Sequence, residues 1–440
     1  MACRKTEQIT TDKNSKLAFS TDTVLFDTVF TAVGSVNKRI KVFNYDKKTI
    51  NISEIKLGGG SNSFFSLIIN GLPATEQKNL NILGEDSVSI YIKATINPSN
   101  QNQPFIVEDS ILFNTNGNAQ SVKLIAYGQN AVFVNNQTIE SNVTWSSSLP
   151  YIINKHVTIA EGVTLNILQG TKVLFHGNAG MNVKGTLNAQ GSANNPVLFA
   201  SDRMENFYEN EPGQWMGIRI FPSSNNSKIN FATIKNATIG IVTDSITSNG
   251  SPKLLLTNST IKNMTIASFT GYHSSLHAFN NLFYNGGQYL IYGIGGGQYN
   301  LKQNTFAGYN NFFSRRTPSL YFSDLEHTGF ENLNVELKNN LIWGNQTEEL
   351  QVDKKTSATV STNITSNIIK TALQTYSANN FLNVDPKFAD VNGYNFKLQN
   401  GSPALSKGEN LSADSYYHFL MYDLLNKPRA FPSDLGCYVQ

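Results

Sequence analysis

The sequence predicts an all-β protein in two parts, a β-sandwich followed by a solenoid of short parallel strands. Three observations lead there. The composition joins β-branched and aromatic residues with abundant Asn, Thr, Ser and Gly, the mixture of short strands and frequent turns. The first 130 or so residues hold segments that alternate apolar and polar, the period of a half-buried strand. The remainder carries an internal repeat with a spacing in the twenties, the period of a solenoid. The 440 residues are 11% aromatic and only 15% charged, so the chain folds. A net charge of +3 over that length is too weak to draw nucleic acid, and no nucleic-acid partner is expected. Cys3 and Cys437 stand far apart in the chain and offer neither a disulfide framework nor a zinc spacing. No run of eighteen apolar residues occurs. Neither cofactor nor metal is expected.

Residues 1–16 read as a flexible tether. Met1-Ala2-Cys3 precedes a polar run from Arg4 to Lys16. This resembles the start of a mature bacterial lipoprotein, where a small residue precedes the modified Cys and a polar tether follows. The resemblance implies lipidation of Cys3, and several acyl chains anchor stably where one binds marginally. The expected location is the outer membrane, at the cell surface or on the periplasmic face. Surface-export signals of such bacteria place acidic residues directly after the Cys, whereas Arg4 and Lys5 come first here.

Residues 17–130 contain about seven alternating segments: 23–30, 38–43, 50–55, 64–69, 87–92, 110–113 and 122–127. That number of strands in that length predicts a β-sandwich. With Phe30-Thr31-Ala32-Val33-Gly34-Ser35, Val42-Phe43-Asn44-Tyr45 and the closing Leu124-Ile125-Ala126-Tyr127-Gly128, it resembles the immunoglobulin-like domains of the Hydin type. Such domains are spacers or docking modules.

Residues 131–375 hold the repeat. Ala232, Ser259, Asn281, Asn304, Asn340 and Asn367 occupy equivalent places, each followed by one variable and one apolar residue, at steps of 27, 22, 23, 36 and 27. Asn suits such a place because it tolerates left-handed backbone and stacks as a hydrogen-bonded ladder. The 36-residue step implies an insertion, placed at Ser314 to Glu331, and a second excursion runs from Ser201 to Trp215. With Glu161-Gly162-Val163-Thr164-Leu165, Gly185-Thr186-Leu187 and Pro212-Gly213-Gln214-Trp215, this part resembles the right-handed parallel β-helix repeat lipoproteins of Bacteroidota. Residues 376–440, with Val384-Asp385-Pro386-Lys387-Phe388, Gly401-Ser402-Pro403 and Asp434-Leu435-Gly436-Cys437, resemble the choice-of-anchor Q type region that closes such helices.

Many β-helices are lyases or hydrolases, but their carboxylate pairs or calcium clusters have no counterpart in these rungs. No catalytic residue is assigned. The first excursion offers Arg203, Glu205, Glu209 and Glu211 as interaction residues, the second Arg315, Arg316, Asp324 and Glu326 together with His327. Glu348-Glu349 reads as a solvated turn. His273 and His277, about 13 Å apart on a strand at about 3.3 Å per residue, do not share a ligand. Tyr289, Tyr292, Tyr299 and Tyr309 form a candidate aromatic binding face for glycan or protein. Thr23, Thr28, Ser87, Ser110 and Ser245 follow Asp and match the Bacteroidota O-glycosylation pattern. The leading expectation is a non-enzymatic outer-membrane lipoprotein, an accessory subunit with outer-membrane protein partners. The alternatives are a glycan-binding surface protein and, further off, a lyase or hydrolase.

Overall fold

The computed structural model describes residues 8–99, 102–310, 312–326 and 329–440, so Cys3 and His327 lie outside the described residues. The chain divides into two compact units, one ending at Ala131 and one running from Val132 to Gln440. Among the described residues no helix is long and apolar enough to cross a membrane.

The first unit is a sandwich of two sheets. One has the strand order 9–10, 49–57, 105–115, 118–129, 23–30, with 76–82 also pairing on 49–57; the other runs 18–19, 38–43, 87–94, 65–69, 72–74. Inward residues of both sheets, among them Phe26, Ile52, Phe113, Val42 and Ile90, form one core and are at most 1% exposed. Strand 76–82 is absent from the sequence expectation because Glu76-Gln77-Lys78-Asn79 shows no apolar alternation. It is a polar edge strand, which keeps a sheet from pairing further. The flexible tether expected over residues 1–16 is corrected from Ile9 onward. Ile9 and Thr10 pair in parallel with Thr49 and Ile50. Asn116 Nδ2 donates to the Asp12 and Ser15 carbonyls, and Asn118 Nδ2 to that of Lys13. Turn side chains of the 105–129 hairpin satisfy this polar backbone, which composition alone does not show.

The second unit is a parallel β-helix with three strand faces per turn. Taking one turn as an example, strand 172–175 belongs to the third face, 180–183 to the first and 186–190 to the second. Each face pairs in parallel with the same face of the next turn. Inward residues therefore stack: Val173, Phe199, Ile234, Ile261, Phe283, Phe306, Ile342 and Ile369 occupy successive register positions on the third face, all 0% exposed. Every turn buries its neighbour's apolar face, which is how a solenoid substitutes for a globular core.

The expected asparagine ladder is present. Ser259 N donates to Asn281 Oδ1, and from there Asn281, Asn304, Asn340 and Asn367 each donate both backbone N–H and side-chain amide to the next member, ending on Asn380 Oδ1. The left-handed backbone falls one residue earlier, at Phe231, Asn258, Asn280, Gln303, Asn339, Ser366 and Asn379, with φ between 47° and 61°. The bend is thus shared by two residues, one coiled outward and one bonded inward. Asn380 and the paired strand 381–382 continue the solenoid past residue 375. The 36-residue step contains two excursions, 309–319 before the first-face strand 320–323 and a small hairpin, 325–326 with 329–330, after it.

The C-terminal residues pack on the second and third faces of the later turns. Phe388, Phe396, Leu398, Leu424 and Leu435 share a core with Leu282, Ala307, Leu341 and Ile368. The outward-coiled residues hold them: Asn258 Nδ2 donates to the Asp423 carbonyl, Asn280 Nδ2 to Phe419, and Asn339 Nδ2 to Glu409.

Candidate functional site

The first face keeps its outer rows partly open. Arg219, Val242, Thr270, Tyr292, Tyr321 and Gln351 stand at one outward register position on successive turns. The parallel spacing of about 4.8 Å brings side chains of neighbouring turns into contact. Tyr292 and Tyr321 stack at 5.5 Å between centroids and 23° between planes, and Tyr289 stacks on Tyr292 at 4.5 Å. Burial first, then the neighbouring rings, holds the Tyr289 and Tyr292 hydroxyls above the ordinary tyrosine range, so both remain donors.

A polar cluster adjoins the rings. Tyr321 Oη donates to Asp353 Oδ2 at 3.0 Å, Gln351 Nε2 to Asp353 Oδ1 at 2.9 Å, and Lys355 Nζ to Tyr321 Oη at 3.0 Å while pairing with Asp353 at 3.2 Å. Burial pushes the Asp353 carboxyl up, but the bonds from Gln351, Tyr321 and Lys355 outweigh it and leave it below the ordinary range. At the other end of the same face Arg219 Nε donates to Asp244 Oδ2 at 2.8 Å. The two carboxylates are four turns apart, by the register steps Thr243, Gly271, Gly293, Phe322, Val352 of the row just before them. That is roughly 19 Å at about 4.8 Å per turn, against the 5–9.5 Å or so of paired glycosidase carboxylates.

Of the four tyrosines expected on a binding face, Tyr289 and Tyr292 stand half-buried on the outer side of the first face. Tyr299 does not: alternation turns it inward, where it is 2% exposed against Phe322. Tyr309 does not either, being half-buried on the third face against Phe388 and Phe396 of the C-terminal region. Tyr321, Asp353 and Lys355 were missed. Their signal was the register across the 36-residue step, which sets Tyr321 beside Tyr292 once the 309–319 excursion is removed.

The charged loops are largely internal ties. Arg315, expected as an interaction residue, is buried, and its Nη2 donates to Glu349 Oε1 and Oε2 at 2.7 and 2.8 Å. Glu349, read as a solvated turn, is 0% exposed and also accepts from Ser319 N, Ser319 Oγ and Gln346 N. A buried charge persists only when paired and hydrogen-bonded, and this pair closes the 309–319 excursion. Asp324 is likewise buried, accepting from Lys355 N, Thr356 N and Thr356 Oγ1. Arg316 is exposed and Glu326 half-buried. In the other excursion Arg203 forks onto Glu205 at 3.1 and 3.2 Å and covers the Tyr208 ring at 3.8 Å; Glu209 is exposed and Glu211 half-buried.

Thr23, Thr28, Ser87, Ser110 and Ser245 are all half-buried. Asp86 and Asp109 accept from the backbone N–H of the following Ser87 and Ser110; Ser87 opens strand 87–94, whereas Ser110 lies inside strand 105–115. His273 bonds the Gly295 carbonyl and His277 the Tyr416 hydroxyl. Among the described residues no group of three or more His, Cys, Asp or Glu is placed to hold a metal ion.

Residues 137–243 match the family model described as a pectate-lyase-like beta helix domain. That stretch covers the earlier turns of the solenoid. No curated protein matches the chain. Solved structures with local likeness include a family 123 glycoside hydrolase from Clostridium perfringens, at 14% identity and TM-score 0.20 over 29% of this chain and 30% of that one. Two others are the Vibrio cholerae VesB protease, at 9% identity and TM-score 0.19 over 27% of this chain and 33% of that one, and a PapD-like domain of human CEP192, at 9% and 0.19 over 30% and 96%. The chain thus spans about a third of the first two. TM-scores of 0.19 to 0.20 do not establish a shared fold. The second unit is a parallel β-helix whose early turns are similar to the pectate-lyase-like domain.

Proposed function

We propose that the β-helix is a non-catalytic glycan-binding module whose first face carries the sugar site. The observation behind this reading is the Tyr289–Tyr292–Tyr321 cluster beside the Asp353–Lys355–Gln351 polar group. Aromatic rings take the C–H faces of sugars, and a fixed carboxylate, ammonium and amide take the hydroxyls. The likeness of residues 137–243 to a pectate-lyase-like domain supports a carbohydrate-related role. The separation of Asp244 from Asp353 and the engagement of each by a cation support binding without hydrolysis. In this reading the N-terminal sandwich, immunoglobulin-like in its strand segments, is a spacer, and lipid on Cys3 attaches the protein to the outer membrane.

The test is titration of the whole chain against a panel of neutral and acidic polysaccharides, with reducing-end release followed alongside. At least one polysaccharide is expected to bind without being cleaved. Tyr321→Ala is expected to weaken it roughly tenfold or more, about 1.4 kcal/mol or above, by removing stacking surface and the Asp353 bond. Binding to none of the panel sinks the sugar site, and release of new reducing ends sinks its non-catalytic character. The anchor has its own check: intact mass of the membrane-extracted protein should exceed the polypeptide by acyl chains, and Cys3→Ser should remove that excess.

A further inference from the structure

The third face offers a second site on the strands of residues 172–175, 197–201, 232–235 and 260–264, with no C-terminal residue in its lining. Two cavities of about 250 and 300 Å³ lie there, and both are lined by Leu198 and Lys235. They are separate cavities that share a wall, each near the lower end of the roughly 300–1,000 Å³ of small-molecule sites. Leu174, Leu198 and Ala200 supply an apolar floor, and the 201–215 excursion raises one wall through Met204 and Tyr208.

Lys235 lines both cavities, Lys262 lines the second together with Lys172, Pro196 and Leu198, and Lys235 and Lys262 are one register step from each other. Thr233 pairs with Thr260 and Lys235 with Lys262, so the ammonium stems rise from neighbouring strands about 4.8 Å apart. Like charges directly opposed on a sheet are destabilising. Among the described residues neither lysine has an ion pair. Lys235 Nζ donates to the Glu209 carbonyl at 3.2 Å, and Lys262 Nζ lies 5.7 Å from the centre of the Tyr284 ring. Burial holds both ammonium groups below the ordinary lysine range, and the charge of Lys235 adds to the fall at Lys262, while Glu209 works against it at both. A doubled, half-desolvated cation beside an apolar cavity has the composition of a carboxylate cradle.

We propose that this groove binds an amphipathic carboxylate, its oxygens bridging Lys235 and Lys262 and its apolar body lying on Leu174, Leu198 and Ala200. The alternative is that the lysine stems merely cover apolar surface with their heads in water. Calorimetric titration of octanoate into the whole chain at neutral pH separates the two. Saturable binding is expected, weakened tenfold or more in Lys235→Gln and in Lys262→Gln. Octanol and inorganic phosphate should each bind at least tenfold more weakly than octanoate. Without ligand, Lys262→Gln should keep or raise the thermal midpoint, because it removes an unpaired charge. Absence of octanoate binding, equal binding by the double lysine variant, or phosphate binding as tightly as octanoate would each overturn the proposal. A fall in midpoint of the unliganded variant with octanoate affinity unchanged would do the same, by making the lysines structural.

Discussion

The early and late turns of the β-helix close the same corner by different means. From Asn281 to Asn380 each corner places an amide inward on the ladder, Ser259 joins it through its backbone N–H, and at Asn258, Asn280 and Asn339 another amide turns outward to grip the C-terminal region. One turn earlier the pair is Phe231 and Ala232. Phe231 has the same left-handed φ of 47°, and Ala232 has no amide to extend the ladder beyond the Ser259 hydroxyl that its N–H donates to. The late turns are therefore tied along the axis and covered on two faces. The early turns rely on apolar stacking, and the cavities of their third face, lined by Lys235 together with Lys262 of the first ladder-bearing turn, include no C-terminal residue. Solenoid stability is close to a sum over turns and their interfaces, so the two halves should respond differently to equivalent damage.

The largest effect is expected at Asn340. Its Oδ1 accepts from Asn304 N and Nδ2, and its Nδ2 donates to Asn367 Oδ1 and the Leu301 carbonyl at 2.8 Å, all in a fully buried setting. Asn340→Ala strands several of these groups at about 1–3 kcal/mol each, for a loss of about 3–5 kcal/mol by urea denaturation. A loss under about 1 kcal/mol would mean that the ladder adds little to the parallel strands themselves.

How much of this was legible follows from the same residues. Asn281, Asn304, Asn340 and Asn367 could be aligned from sequence because an identical chemical need recurs at every turn and leaves a periodic trace. Tyr292 and Tyr289 were readable as aromatic surface candidates, but facing could not be assigned through Gly293–Gly297, where two strand segments run on as one. Tyr299, past that bend, faces inward. Arg315, Asp324 and Glu349 were misread for a different reason. Charged residues in a long step are exposed by default, and only the folded path of the excursion shows that Arg315 meets Glu349 across 34 residues. Lys235 and Lys262 gave no signal, since a stacked pair is visible only once the 27-residue register is applied to the outward row.

An intermediate effect is expected from His277, which sits where the C-terminal region covers the second face. Burial, with Lys302 adding to it and Asp414 opposing, lowers its pKa from 6.5 to about 4, and its Nδ1 lies 2.9 Å from Tyr416 Oη. The folded state thus keeps the ring neutral over a range in which the unfolded chain protonates. The unfolded chain binds more protons between pH 6.5 and 4, so stability is full above pH 6.5 and falls as the pH drops toward 4. At about 1.4 kcal/mol per unit the whole loss is about 3 kcal/mol. His277→Gln should flatten this part of the stability profile, read as urea midpoint against pH. A variant with the wild-type slope over that window would place the titration elsewhere and detach the late turns from any acid sensitivity of the cover.

The smallest effect sharpens the comparison at its boundary. Phe231 holds φ 47° with a bulky aromatic side chain, where the equivalent places one, two and four turns on carry Asn258, Asn280 and Asn339. Left-handed backbone costs a bulky residue more than it costs Asn, whose short amide bonds locally. Phe231→Asn should therefore stabilise the early turns by up to about 1 kcal/mol, provided the half-buried ring contributes little packing. The backbone bonds around it, Phe231 N to the Thr257 carbonyl and Val197 N to the Phe231 carbonyl, are unchanged by the substitution. A higher urea midpoint would show that the early corner carries uncompensated strain that the late corners avoid by composition. A clear loss would show instead that the Phe231 ring does for the early turns what the C-terminal region does for the late ones.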